Sequence, residues 1–185
     1  RVADLGCGTG YFARALVGLV GHLVCVDRSE AMLEEARKRL DPAPPGLDVE
    51  FRRGELDALP LDDDELDGAV AGMVLHHLAD PDPALREMHR VVRPGGAAIV
   101  LELAPHRETW MHEAQGDRHL GLEASDVVAA FRRAGFVDVQ IESVEDRYCP
   151  RLPADNGTES DSGADAREVS LPLYIVRGRV ASEKT

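Results

Sequence analysis

No apolar run in this chain approaches the roughly 20 residues needed to cross a bilayer as a helix, which excludes a helical span from the sequence. Cysteine is scarce. Cys7, Cys25 and Cys149 are widely spaced and form no CxxC or CxxxC pair. An odd, dispersed set of this kind argues against a disulfide framework or a cysteine zinc site, and for free thiols in a reducing compartment. The cytoplasm is the expected address, and no secretory signal is read. Positive charge is also in deficit. Lysine and arginine number 21 against 34 acidic residues, a net charge of −13. No basic stripe compensates locally, so phosphate backbones are repelled and a nucleic-acid substrate is not expected.

What remains is the profile of a soluble globular protein, 44% hydrophobic and 30% charged. The 185 residues suit one domain with a single core, spanning 1–185. Residues 1–5 already read as a buried strand, so further sequence is expected upstream of them. Strand and helix signals then alternate, the pattern of βαβ units around a mostly parallel sheet. Strands are expected over 1–5, 22–27, 49–53, 66–73, 97–103, 137–143 and 171–180. Helices are expected over 11–19, from Ser29 as N-cap to Leu40, over 83–92, and over 123–134 up to Gly135 as terminator. Residues 93–96 (RPGG) read as a turn, 105–122 as irregular, and about 150–168 as a flexible acidic loop.

The strongest chemical signal is VADLGCGTG over 2–10. A strand carries Asp4 to its carboxyl end, and Gly6, Gly8 and Gly10 then turn the chain into a helix. Glycine serves where φ must be positive and where a ligand must approach bare backbone. Open α/β sheets bind ligands at such strand ends, near the switch in strand order. The dinucleotide fingerprint G-x-G-x-x-G would need glycine where Tyr11 stands, which argues against a nicotinamide oxidoreductase.

The acidic-x-G-x-G-x-G pattern resembles motif I of the class I S-adenosylmethionine-dependent methyltransferases, and further likenesses follow in order. Asp27 ends LVCVD, where the family's acidic residue grips both ribose hydroxyls, and Arg28 and Met32 would flank the adenine. FRRGELDALPL (51–61) matches the segment whose acidic residue meets the adenine amino group, with Glu55 in place of the usual aspartate and Leu56 beside it. DGAVAGMVLHHLADP (67–81) matches the fourth strand and its loop, including Met73. VVRPGGAAIVLEL (91–103) matches the fifth strand. The resemblance implies S-adenosyl-L-methionine as cofactor, a small-molecule methyl acceptor, and a Rossmann-like sheet of order 3-2-1-4-5-7-6 with the last strand antiparallel and helices on both faces. A helical cover upstream of the first strand is implied as well.

Within the family, residues 74–81 and 103–127 are most similar to the ubiquinone/menaquinone-type methyltransferases and to the methyltransferase domains fused to arsenic-repressor-type winged-helix regulators. An upstream winged helix or a homodimer is one implication. A module that senses S-adenosylmethionine or S-adenosylhomocysteine for a larger transcriptional regulator is then the alternative to an enzyme.

Methyl transfer needs alignment, dehydration and sometimes a base, so donor motifs are easier to read than a catalytic residue. His76, His77 and His119 are the candidates for removing a proton from an acceptor, and each could equally be a packed or solvated histidine. If residues 76 and 77 lie on an α-helix, their side chains point about 100° apart and at most one faces the cofactor easily. His112 and Trp110 are further candidates for the acceptor pocket. The Glu-Glu-His metal set of quinone-pathway O-methyltransferases is not reproduced, because Met73 and His76 occupy its acidic positions. No metal is expected. Cys7 reads as a small filler of a tight turn.

Overall fold

The computed structural model describes residues 1–150 and 169–182. The chain order is β1 (Val2–Leu5), α1 (Tyr11–Leu16), β2 (His22–Asp27), α2 (Glu30–Leu40), β3 (Asp48–Arg53), β4 (Leu66–Gly72), a 3-10 turn (Leu75–His77), α3 (Asp82–Val91), β5 (Val92–Leu103), α4 (Trp110–Ala114), α5 (Ala124–Ala134), β6 (Val137–Tyr148) and β7 (Leu171–Arg179). The strands form one sheet in the order β3-β2-β1-β4-β5-β7-β6. The first five pair in parallel, while β7 runs antiparallel to both β5 and β6. This is the Rossmann-like order expected from the motifs. No helix among the described residues is long and apolar enough to cross a membrane.

Both faces of the sheet are covered, as parallel strands require. The alternation in β2 shows how: Val24 and Val26 join the core under α3 and α5, with Leu85, Met88, Ala130 and Phe131. Leu23 and Cys25 join the core on the opposite face with Ala13, Leu33, Ala36 and Leu40 of α1 and α2. A smaller third cluster, Leu103, Met111, Val169 and Leu171, sits beyond the carboxyl end of β5. Ser29 caps α2 by accepting from the Met32 amide at 3.4 Å, an arrangement whose loss costs about 1 kcal/mol. Gly135 ends α5 in the left-handed conformation, φ +104.

Several boundaries differ from the sequence reading. Helix α1 stops at Leu16, because residues 17–20 close back in a short bridge. The RPGG segment is not a free turn between helix and strand. Val92 already pairs with Leu66, and Ala97 with Gly68, so the segment is an irregular bulge inside a longer β5. Its protrusion is held by Gly95, φ +79, whose amide donates to the Val180 carbonyl. Strand β6 runs on to Tyr148 because β7 offers it a partner to that point. Residues 105–122 contain α4. The loop expected over about 150–168 lies, apart from Pro150, outside the described residues.

Candidate active site

The glycine loop leaves the carboxyl end of β1 beside the end of β2. The amides of Gly6 and Cys7 both donate to the Val26 carbonyl, at 2.8 and 3.0 Å, which pins the turn to its neighbour strand. Gly6 has φ +70, and a Cβ there would lie 2.5 Å from Cγ2 of Val74. The loop therefore touches the segment that follows β4. Gly8, φ +51, is different: a Cβ would meet nothing within 4 Å. Bare backbone faces open space at this point, as a ligand cradle requires. Gly10 starts α1, close against Ala36 of α2.

Asp27 stands at the end of β2 with its carboxylate oriented by backbone. One oxygen accepts from the Gly8 amide at 2.8 Å and the other from the Ser29 amide at 2.9 Å. Each oxygen keeps further acceptor capacity for a diol. Asp4 points to the α1 side of the sheet, out of phase with the core residues Ala3 and Leu5. It is 1% exposed, and neither oxygen has a hydrogen-bond partner. Burial pushes its pKa up to about 7, and the charge of Asp27 adds to it. A buried carboxylate without a partner is costly unless a cation or donor arrives. Cys7 and Cys25 are free, buried thiols in the core below the loop; hydrogen bonding between them and burial raise the Cys7 pKa.

The other expected donor residues are spread around this cradle. Arg28 is exposed and its carbonyl accepts from Arg53. Met32 is exposed on α2 and Glu55 is exposed after β3. The Leu56 side chain packs against the main core. Met73 follows β4 with φ +58, and its amide donates to the Leu101 carbonyl.

Next to the loop opens a cavity of about 590 Å³, walled by Tyr11, Phe12, Met73, His76, His77 and Gln115 among others. Both histidines face it, contrary to the α-helical expectation. The segment is a 3-10 turn, and the two rings lie 4.2 Å apart between centroids, tilted by 45°. His76 is buried, with Nδ1 2.5 Å from Oε1 of Glu102, itself fully buried on β5. Desolvation would lower the His76 pKa, but the hydrogen bond and charge of Glu102, with Asp117, hold it above the usual value. Burial and the neighbouring His76 push His77 below it. Asp117 lies behind the pair, its Oδ1 3.7 Å from His76 Nε2 and 3.5 Å from His77 Nδ1.

His119 is placed near His76 by backbone rather than side chain: its amide, like that of Arg118, donates to the His76 carbonyl. Its imidazole does not line the cavity, and Nε2 is buried without a partner. His112 instead braces its own loop, with Nδ1 2.6 Å from the Asp117 carbonyl. Trp110 donates to Glu108 and packs in the third cluster. Sequence reasoning missed Glu102 and Asp117. Glu102 carried a signal, a lone carboxylate inside an apolar strand; Asp117 carried none.

A family profile described as "Methyltransferase domain" matches residues 3–100. The chain belongs to this family. Its members draw their methyl group from S-adenosylmethionine. The methyltransferase domain is 38% identical over 105 residues to the demethylmenaquinone methyltransferase of Clavibacter sepedonicus, covering 56% of this chain and 41% of that protein. The chain thus spans less than half the length of the curated relatives it matches. In fold it is similar to the YcgJ protein of Bacillus subtilis, with a TM-score of 0.73 at 18% identity over 99% of this chain and 92% of that one. It is similar also to phosphoethanolamine N-methyltransferase 2 of Haemonchus contortus, solved with S-adenosyl-L-methionine: TM-score 0.70 at 16% identity, over 98% and 48%.

Proposed function

We propose that residues 1–185 form one methyltransferase domain that transfers the methyl group of S-adenosylmethionine to a small-molecule acceptor. The observation that carries this reading is contiguity. The glycine loop and the segment after β4 touch at Gly6 and Val74, and the cavity begins at Met73 and Phe12. A donor in the cradle and an acceptor in the cavity would meet there. The cofactor, when bound, supplies an already activated methyl group, so the chain's task is alignment and exclusion of water.

In this reading Asp27 accepts from the ribose hydroxyls and Asp4 faces the ammonium end of the donor. Arg28 and Met32 flank the adenine, Glu55 reaches its amino group, and Leu56 lends backbone from a packed position. His76 and His77 present ring nitrogens to the acceptor, and His119 supports them through its amide. An acceptor with an ionisable hydroxyl or thiol would lose its proton at this wall. The cavity volume falls within the usual range for small-molecule sites, and the quinone-pathway name of the Clavibacter relative favours a ring compound. The free thiols Cys7, Cys25 and Cys149 suit a cytoplasmic setting.

Calorimetry with S-adenosylhomocysteine is the first test, with micromolar affinity expected, about −8 kcal/mol. Product formation against a panel of hydroxylated ring acceptors, read by mass spectrometry, is the second. Tighter binding of NAD than of S-adenosylhomocysteine would overturn the reading.

A further inference from the structure

The wall of the cavity holds a constellation that methyl transfer does not by itself require. Asp117 is 3% exposed, its side chain wholly buried, and neither carboxylate oxygen has a hydrogen-bond partner. Its nearest ionisable neighbours in the site are His76 Nε2 at 3.7 Å and His77 Nδ1 at 3.5 Å. Those separations exceed a hydrogen bond of about 2.7–3.2 Å. They match something else. Two ligands bound tetrahedrally at about 2.0–2.1 Å from a zinc-sized ion stand about 3.3–3.4 Å apart. The three donor atoms all lie within 4.8 Å of one another.

The surroundings suit a metal as well. His76 Nδ1 is engaged by Glu102 at 2.5 Å, which fixes the ring and leaves Nε2 turned to Asp117. Glu102 is itself held by the amides of His76 and Leu103, at 3.2 and 2.8 Å. A carboxylate behind a ligating imidazole is the usual outer support of such a site, because it sets the ring's orientation and raises its basicity. His77 Nδ1 has besides only a long contact, 3.4 Å to the Gly116 carbonyl, to give up.

We propose that His76, His77 and Asp117 bind a divalent transition metal of the zinc class, with an open coordination position toward the cavity. Both imidazoles line that cavity while Asp117 lies behind them, so the open side of the triad faces the acceptor space. The acceptor class this selects is a compound offering a hydroxyl or thiol as a metal ligand. This last step rests on the methyl-transfer reading, whereas the metal site does not.

The test uses the full chain and cobalt(II) as a spectroscopic probe, with zinc competing. One equivalent of cobalt should bind with an intense tetrahedral-type visible absorption that zinc abolishes. Asp117→Asn, which keeps the shape of the side chain, and His77→Gln should each weaken binding at least tenfold. S-adenosylhomocysteine affinity should stay unchanged in Asp117→Asn. Absence of cobalt binding at millimolar concentration would overturn the proposal, as would binding unaffected by both substitutions. Loss of binding in His22→Gln instead would also overturn it, by assigning the ion to the partly exposed His22, Asp48 and Glu50 group. Loss of S-adenosylhomocysteine binding by the unaltered protein would refute the methyl-transfer reading and leave the metal site standing.

Discussion

Replacing Asp4 by asparagine separates the energetic burden of a buried carboxylate from its use. The group ionises at 3.8 in an unfolded chain and at about 7 in the fold. Because the folded value is the higher one, the folded state holds the proton more tightly. The stability associated with it is therefore complete below pH 3.8 and is lost as pH rises through about 7. Integrating over this interval gives a destabilisation of about 2 kcal/mol at pH 5.5 and about 4 kcal/mol at pH 8. Asparagine has no such dependence. Whatever the amide itself costs or gains, the stability difference between variant and parent should move in the variant's favour by about 2 kcal/mol between the two pH values. For a chain of this size that corresponds to about 4–8 °C in melting temperature. Urea unfolding at both pH values measures it directly, since every other titrating group is common to the two proteins. The same variant should bind S-adenosylhomocysteine at least about tenfold more weakly at pH 8, through loss of a charge-assisted contact to the ammonium group. Parallel pH–stability curves for parent and variant would show that Asp4 is not buried as a strained acid, and the reasoning would fail.

Other substitutions probe the cradle and the core. Asp27→Ala should weaken S-adenosylhomocysteine binding by about 1.5–3 kcal/mol, the scale of a lost hydrogen bond to a charged group, and unchanged calorimetric affinity would remove its ribose role. Gly6→Ala places a methyl 2.5 Å from Val74 at φ +70, and about 1–3 kcal/mol of lost stability is expected from chemical denaturation. Gly8→Ala meets no atom in the protein, so its loss should appear mainly in ligand affinity, with a smaller penalty of about 1 kcal/mol for the left-handed backbone. Phe131→Ala, at the centre of the larger core, should cost about 3–5 kcal/mol without altering the cradle.

The meeting of Asp4, the glycine loop and Asp27 was readable because its geometry is local. They lie within 27 residues, at or just beyond the ends of two neighbouring strands, so spacing alone places them together. Ser29 and Gly135 were readable for the same reason, since a cap depends on its own turn. The acceptor side is assembled differently. Asp117 reaches the histidines because the amides of Arg118 and His119 bond to the His76 carbonyl, across some forty positions of sequence. No periodicity encodes such a meeting. The joint presence of His76 and His77 on the cavity wall depends on partners distant in sequence, Glu102 beside His76 and the Gly116–Asp117 segment beside His77. The length of β6 and the bulge in β5 likewise follow from partners, not from the residues within them.

The strand order divides the domain into two halves that answer to different demands. Strands β1 and β2 on one side of the switch bring Asp4, Gly8 and Asp27 together, whereas β5, β7 and β6 on the other contribute Leu101, Leu173, Val144 and Tyr148 to the cavity. The cavity also draws Tyr11, Phe12, Met73, His76 and His77 from residues 3–100, the span of the family match. Substitutions that reshape the second half leave the Gly8–Asp27 hydrogen bond and the Asp4 environment untouched. On the proposed function, the acceptor wall formed by the antiparallel β6–β7 pair can be revised without disturbing the residues assigned to the methyl donor.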